Sequence, residues 1–167
     1  MPVVHIRPAN PDDFAADLFP VWGADISRTG WYGFPALADG AIKIGHHGNG
    51  WSDDPDSADR LPDGHEDRLR VFLREAIPGL ATGEIVHQRL CFYCDATDGA
   101  FWVDRVPARK GVVVASGGSG HGFKFGPVIG SLIADAAEGV ANPELARLAW
   151  RPAAKPDREQ ARCSDDG

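Results

Sequence analysis

The sequence predicts an α+β fold in which the strands are mostly antiparallel. About seven short segments have the composition or the alternation of strands, and only two have the apolar spacing of an amphipathic helix. The predicted strands are largely consecutive, whereas a parallel sheet would require a regular alternation of strands and helices. The 20 glycines and 13 prolines among 167 residues indicate many turns between short elements.

Composition and charge exclude several classes of protein. The hydrophobic fraction of 43% is sufficient for a buried core, so neither a disordered nor a fibrous chain is expected. The formal net charge of −7 opposes a nucleic-acid or anionic-membrane partner, which would require a cationic surface. Three cysteines do not indicate a disulfide scaffold, and no segment has the pattern of a signal peptide or a membrane span. We therefore expect a cytoplasmic protein without nucleic-acid or membrane partners.

Residues 1–105 are predicted to form the first part of the fold, a mainly antiparallel sheet that carries one helix. Its strands are expected at residues 3–6, 18–22, 30–35, 41–47, 84–95 and 101–105. A polar connector at residues 48–60 precedes a helix at about residues 63–77, where apolar side chains recur at helical spacing. Asp63 and Glu66 have the spacing of a capping box at the start of this helix.

Residues 106–152 are predicted to form the second part, and residues 153–167 an irregular tail. The continuous apolar run at residues 111–115 indicates a buried strand. Apolar side chains between Lys124 and Gly139 follow the spacing of a second helix.

The segment SGGSGHG, at residues 116–122, lies between that strand and that helix. Backbone N–H groups at the helix N-terminus, together with the charge of Lys124, favour an anion or a developing negative charge. The glycines match neither the dinucleotide fingerprint G-x-G-x-x-G nor the Walker A motif, because Phe123 interrupts both patterns. The alternative is a glycine-rich turn that binds no ligand.

Cys91 and Cys94 form a single C-x-x-C motif. If both lie in a strand, their side chains point to opposite faces, and they can neither share a metal ion nor form a disulfide. The alternative to a chemical role is a pair of inert thiols.

The strand at residues 41–47 places Lys43, Gly45 and His47 on the face opposite its two isoleucines. Lys43 is either an edge-strand charge or a buried functional group, and the sequence leaves both open. His47 is either a functional histidine or a histidine of the core or its rim.

Read together, these motifs resemble the C-terminal half of the monomeric sarcosine oxidase family. That family comprises FAD-dependent amine oxidases, among them N-methyl amino acid and pipecolate oxidases. The resemblance covers about residues 3–152, and its matching stretches, in order, are WYGFP, IKIGHHG, CFYCDATDGAFWVD, GVVVASGGSGHGFKF and a closing W-R-P.

The resemblance implies a role for each matching residue. Cys91 stands where the family carries the cysteine bonded to the 8α-methyl group of the flavin. Lys43 matches the lysine that activates O2 by stabilising the negative charge that develops on it, and His47 and Tyr32 match residues that line the substrate pocket. Lys124 matches the lysine that helps to hold the substrate carboxylate. The residues that would meet the flavin ring are Gly118, Ser119, Gly120, His121, Gly122 and Lys124.

The sequence departs from the family in one large respect. Family chains are roughly twice as long and begin with a dinucleotide-binding unit that carries G-x-G-x-x-G, whereas here the first glycine is Gly23 and the fingerprint is absent. We therefore expect residues 1–105 to correspond to the substrate-binding part, residues 106–152 to complete the FAD-binding domain, and the fold to be incomplete relative to the family. Apolar surface, for example at Trp31 or Val113, should then be exposed.

The function that the resemblance implies is that of a C-terminal fragment of an FAD-dependent oxidase. Such an enzyme oxidises the C–N bond of a secondary or N-methyl amino acid with O2 and gives H2O2. The partners implied are a small amino-acid or amine substrate and a separate dinucleotide-binding half, and the isolated chain is expected to be inactive. The alternative is a non-catalytic remnant, or the partner-binding half of a split flavoenzyme.

Overall fold

The computed structural model describes residues 1–48, 54, 56, 61–96 and 98–151. The chain divides into two compact units, Met1–Phe92 and a unit that begins at Tyr93. The boundary is expected after residue 105, whereas this division falls after Phe92, since the strand that ends at residue 105 pairs within the second unit. Most of the predicted connector, Cys163 and the predicted tail lie outside the described residues.

The first unit contains a five-stranded sheet. Its strands are β1 (Pro2–Arg7), β2 (Trp22–Gly23), β3 (Trp31–Ala36), β4 (Ile42–His46) and β5 (Glu84–Leu90). Their order is β2-β3-β4-β1-β5, and every neighbouring pair is antiparallel, which confirms the predicted antiparallel sheet. Because β4 lies between β3 and β1, the interpretation of Lys43 as an edge-strand charge is wrong.

One face of this sheet, called the inner face, packs against α2 (His65–Ala76) and forms the core of the unit. Ile42 and Ile44 are fully buried there, as their alternation with Lys43 predicted. The buried cluster comprises Val4, Ile6, Phe14, Trp31, Ile42, Ile44, Leu69, Leu73 and Leu80. Since these side chains come from three strands, α2 and two 3-10 turns, their burial holds the elements of the unit together.

The helix predicted at about residues 63–77 is confirmed as α2, but it begins differently. Its N-terminal cap is Gly64, whose φ of +74° lies in the left-handed region, and no side chain caps the helix. The predicted capping box is therefore wrong, because Asp63 stands one residue too early. Glu66 instead forms an ion pair of 3.2 Å with Arg70, one turn further along α2.

Two predicted strands are shorter in the structure. At residues 18–22 only Trp22 pairs, because the N–H groups of Leu18 and Phe19 donate to the Ala15 carbonyl at 2.9 and 2.8 Å and turn the chain. The strand predicted at residues 84–95 ends at Leu90, two residues before the division between the units. A short helix, α1 (Ile26–Thr29), lies between β2 and β3 and was not predicted.

A cluster of aromatic rings and histidines fills one end of the core. Trp31 is only 5% exposed, so the expectation that it contributes exposed apolar surface is wrong; its ring stacks on Phe72 at 5.5 Å. His65 is 1% exposed, lies 5.3 Å from the Trp31 ring, and its Nδ1 has no hydrogen-bond partner among the described residues. Burial, followed by the charge of the neighbouring His46, lowers the pKa of His65 from 6.5 to about 3.

The second unit is built on a hairpin and a helix. β6 (Trp102–Arg105) and β7 (Val113–Ser116) pair antiparallel, and α3 (Gly126–Glu138) follows a 3-10 turn at Gly122–Phe125. The second predicted helix is thus confirmed, and it ends at Gly139, whose φ of +76° is left-handed. Among the described residues no helix is both long and apolar enough to cross a bilayer.

The strand predicted from the GVVVA run is present, but it is not buried. Val113 and Val114 are half-buried, and Val112, just before β7, is 43% exposed. In a two-stranded sheet only one face of each strand can pack against a helix, so the continuous apolar run does not indicate burial on both faces here.

Two arginines secure the second unit. Arg105 on β6 donates through Nε to the Ala136 carbonyl at 2.8 Å and through its guanidinium to the Ala137 carbonyl at 2.6 Å, which satisfies the last turn of α3. Arg151 forms a two-point ion pair with Asp98, and its guanidinium lies 4.8 Å from the centre of the Trp102 ring. The hydrogen bond from Arg151 holds the pKa of Asp98 well below its usual range.

We predict that acid destabilises the first unit through His65. The unfolded chain binds a proton with an ordinary pKa of 6.5, whereas the folded chain binds it only near pH 3. Stability is therefore fully present above pH 6.5 and falls as the pH drops toward 3, by up to about 1.4 kcal/mol per pH unit from this group. Urea unfolding at a series of pH values between 7.5 and 4.5 should reveal this slope.

The slope should decrease in His65→Phe, which keeps an aromatic ring against Trp31 but cannot be protonated. His121→Gln, at a histidine of the second unit, is the matched control and should keep the native slope. Equal slopes in the native chain and His65→Phe would show that another group is responsible.

Candidate functional site

Lys43 lies on the face of the first-unit sheet opposite the core, called the outer face. It is half-buried, and it pairs in register with His5 of β1. Its Nζ lies 5.1 Å from the centre of the Phe34 ring of β3, within the range of a cation–π contact. The ammonium group is thus held on the outer face between two neighbouring strands.

Tyr32 and His47 flank the same stretch of β4. Tyr32 pairs with Gly45, and a Cβ at Gly45 would lie 2.4 Å from the Tyr32 ring, so the ring lies directly on the backbone of β4. His47 follows the end of β4, and its N–H donates to the Gly30 carbonyl at 2.7 Å, which continues the pairing with β3. The structure therefore places Tyr32 and Lys43 together on the outer face, with His47 at the end of the same strand.

Gly45 is a residue whose role the sequence analysis missed. Only a residue without a side chain leaves room for the Tyr32 ring at this place. The signal was present in the sequence, because a glycine within a strand pattern often marks the close approach of another group.

The glycine-rich loop of the second unit folds back on the segment that begins the unit. The Ser119 N–H donates to the Cys94 carbonyl at 3.2 Å, and the Tyr93 ring lies so close to Gly120 that a Cβ there would be 2.3 Å away. The His121 N–H donates to the Gly118 carbonyl at 2.8 Å. Two of the N–H groups predicted to face an anion are thus used within the unit, and α3 begins only after the intervening 3-10 turn.

The loop nevertheless has an open backbone surface. Around a Cβ built at Gly118, only the Gly122 backbone lies within 4 Å, so a flat ring can approach the chain there. His121 is fixed beside it, since its Nδ1 lies 3.1 Å from the Ser119 carbonyl and its ring meets Phe101 edge-on at 5.6 Å. Open backbone beside an imidazole is a surface on which a flat ring system could lie.

Lys124 follows the loop within the 3-10 turn. It is exposed, and its Nζ lies 5.4 Å from the centre of the Phe125 ring. The structure thus gives the second unit a single loop that presents both glycine backbone and an exposed ammonium group.

The two cysteines of the C-x-x-C motif differ in their surroundings. Cys91 is half-buried and its backbone pairs with Met1, through an N–H donation of 2.7 Å to the Met1 carbonyl. Cys94 is exposed, and its Sγ lies 3.0 Å from the Ser116 hydroxyl, a hydrogen bond that lowers the pKa of the Cys94 thiol. Neither residue lies in a strand, so the argument that places them on opposite faces of a strand does not apply. Among the described residues, no group of three or more His, Cys, Asp or Glu side chains could hold a metal ion.

Comparison with known proteins identifies the class of protein. Residues 2–136 match the family model of the FAD dependent oxidoreductases, DAO. This chain therefore belongs to the FAD-dependent oxidoreductase family, as the resemblance predicted.

Its relatives are more specific. The chain is 37% identical over 123 residues to a monomeric sarcosine oxidase from Bacillus sp. (strain NS-129), a match that covers 71% of this chain and 31% of the relative. It is 40% identical over 115 residues to an N-methyl-L-tryptophan oxidase from Salmonella typhi, covering 65% of this chain and 29% of the relative. The chain thus spans about a third of the length of these curated relatives.

The fold agrees with these relatives. The fructosamine oxidase Amadoriase II from Aspergillus fumigatus superposes with a TM-score of 0.80 at 27% identity, covering 99% of this chain and 43% of that one. The mixed fold with antiparallel sheets is therefore the fold of a segment of these oxidases.

We predict that Gly45→Ala displaces Tyr32 and destabilises the first unit. The added Cβ would lie 2.4 Å from the ring, so the ring or β4 must move. Overpacking of this kind costs about 1–3 kcal/mol of the free energy of unfolding, which urea unfolding should measure. Gly130→Ala on α3, where nothing lies within 4 Å, is the control and should be neutral or stabilising.

A double-mutant cycle separates the ring contact from other effects of the new methyl group. In a Tyr32→Ala background the Gly45→Ala substitution should cost much less, because the ring is gone. An equal cost in both backgrounds would contradict the contact.

Proposed function

We propose that this chain supplies the substrate-facing sheet and the flavin-facing loop of an FAD-dependent amine oxidase. The reaction is the oxidation of the C–N bond of a secondary or N-methyl amino acid to an imine. O2 would be the acceptor of the two electrons and would be reduced to H2O2, with FAD as the cofactor. The first unit takes the part of the substrate-binding domain, and the second completes the FAD-binding domain.

The observation that carries this proposal is the position of Lys43. It is an ammonium group on an interior strand, half-buried and directed along the outer face by Phe34, with Tyr32 beside it. The alternation along β4 places this lysine on the outer face, where its oriented ammonium group could stabilise negative charge that develops in a reaction. The relatives include oxidases of sarcosine and of N-methyl-L-tryptophan, which supports an amine substrate.

Several residues would hold the cofactor. In the second unit the open backbone at Gly118, with Ser119, Gly120, His121 and Gly122, would meet the flavin ring, and Lys124 would meet the ring and the substrate carboxylate. Cys91 would be the point of covalent attachment. When bound, FAD supplies the two-electron oxidation of the substrate. The described residues contain no G-x-G-x-x-G turn, so we propose that a dinucleotide-binding half outside these 167 residues holds the ADP part.

The first unit would act on the substrate and on O2. Tyr32 and His47 would line the pocket beside the amine, and the Tyr32 ring, fixed over Gly45, would exclude water from it. The ammonium group of Lys43 would stabilise the negative charge that develops on O2, and it is already oriented before the reaction.

A chimera tests the proposal. Residues 2–136 would replace the matching segment of the Bacillus monomeric sarcosine oxidase, and the purified protein should be yellow and should release H2O2 with an N-methyl amino acid. In Lys43→Met the reoxidation of the flavin by O2 should slow on the order of 10²–10³-fold, because one preorganised charge is lost. Its reduction by substrate should change little, and stopped-flow absorbance follows both half-reactions.

Lys110→Met, at an exposed lysine of the second unit, is the matched control and should leave both half-reactions unchanged. If both half-reactions slow equally in Lys43→Met, the role of this lysine is rejected. A chimera that folds but holds no flavin would contradict the proposed function itself.

The same chimera tests which cysteine carries the flavin. The match to the family points to Cys91, although the hydrogen bond with Ser116 lowers the pKa of the Cys94 thiol. After acid denaturation, flavin fluorescence should stay with the chain in Cys94→Ser and be lost from it in Cys91→Ser. Flavin that stays attached in Cys91→Ser but not in Cys94→Ser would reverse the assignment.

A further inference from the structure

Two histidines extend the row of side chains that begins at Lys43. On the outer face, Lys43 of β4 pairs in register with His5 of β1, and His5 pairs with His87 of β5. The His5 and His87 rings meet edge-on with their centres 5.1 Å apart. His5 and Lys43 are half-buried and His87 is exposed, so the row is open to solvent at its β5 end. Three neighbouring strands thus each contribute one nitrogen-bearing side chain to this row.

The charges around His5 are mainly cationic. His87 and Arg89 face it from β5 and Lys43 faces it from β4. Among the described residues, Asp39, in the turn between β3 and β4, is the acidic group that acts on it. The Asp39 carboxylate already accepts a hydrogen bond from the Ala41 N–H at 3.1 Å. Burial, then His87 and then Lys43, lower the pKa of His5. The histidine is therefore neutral near pH 7, in a place where a positive charge is already concentrated.

This environment suits an anion better than a metal ion. A divalent cation at His5 and His87 would stand beside the fixed charges of Lys43 and Arg89, which repel it. An oxyanion would instead accept hydrogen bonds from the ammonium group of Lys43 and from an N–H group of one or both imidazoles. Charge-assisted hydrogen bonds of this type are stronger than hydrogen bonds between neutral groups.

We propose that His5, Lys43 and His87 form a binding site for a carboxylate or a similar oxyanion on the outer face of the first unit. The anion is drawn to a face that is already positive, and it takes up a proton at His5 as it binds. The identity of the physiological ligand rests on the proposed function. The ligand is a second acidic group, carried on the side chain of the amine substrate, that lies along the row beyond Lys43.

Proton linkage makes the site measurable in the 167-residue chain without flavin or turnover. The pKa of His5 is followed through the NMR signals of its ring while inorganic phosphate, N-methyl-L-glutamate or N-methylglycine is added at constant ionic strength. Phosphate should raise the pKa of His5. For each unit by which that pKa rises, phosphate binds the protonated form of His5 about tenfold more tightly than the neutral form. The ring signals of His65, which is buried on the inner face, should not move.

The two amino acids distinguish the sources of the anion. Tighter binding of N-methyl-L-glutamate than of N-methylglycine assigns the site to an acidic side chain of the substrate, whereas a response to phosphate alone assigns it to a free oxyanion. Lys43→Met and His87→Gln should each weaken the response, and Lys110→Met should not. Circular dichroism confirms that each variant is folded.

The proposed site is overturned if none of the three probes raises the pKa of His5 more than sodium chloride does. It is also overturned if Lys110→Met weakens this response as much as Lys43→Met. Failure here is distinguishable from failure of the proposed oxidase, because the chimera reports flavin and H2O2 and this experiment reports neither.

Discussion

The alternation of side chains along β4 is the constraint on which the first unit depends. Ile42 and Ile44 can be buried only if they face α2, and because a strand repeats every two residues, Lys43 must then face the other side. A slip of one residue in the register would expose both isoleucines and bury the ammonium group, so the pairing with β1 and β3 is strongly specified. Lys43 is therefore positioned by apolar burial in which it takes no part.

Two glycines extend this constraint to the aromatic rings on either face of the sheet. A Cβ at Gly33 would lie 2.5 Å from the Trp22 ring on the inner face, and one at Gly45 would lie 2.4 Å from the Tyr32 ring on the outer face. Each ring thus covers the backbone of the neighbouring strand. On the inner face the Trp22 ring also stacks on Phe72 of α2 at 5.9 Å and so forms part of the core. On the outer face the same arrangement of a ring over a glycine places Tyr32 beside Lys43.

In the second unit, two motifs that stand apart in the sequence form one local structure. Cys94 and Ser116 are 22 residues apart, yet their side chains are hydrogen-bonded, and the Ser119 N–H donates to the Cys94 carbonyl. The Tyr93 ring packs against Gly120. Tyr93 and Cys94 therefore support the glycine-rich loop, and the hydrogen bond with Ser116 lowers the pKa of the Cys94 thiol.

The sequence by itself determined the segments that became β1, β3, β4, α2 and α3, because each is a short apolar run or has an apolar face at the period of its element. Its motifs also determined the family. Only the tertiary structure decided the start of α2, the end of β5 and the exposure of β7, since each depends on what packs against the element. It alone placed His5 beside Lys43. The physical reason is that periodicity describes a single element, whereas neighbours across a sheet are set by register between segments distant in the chain.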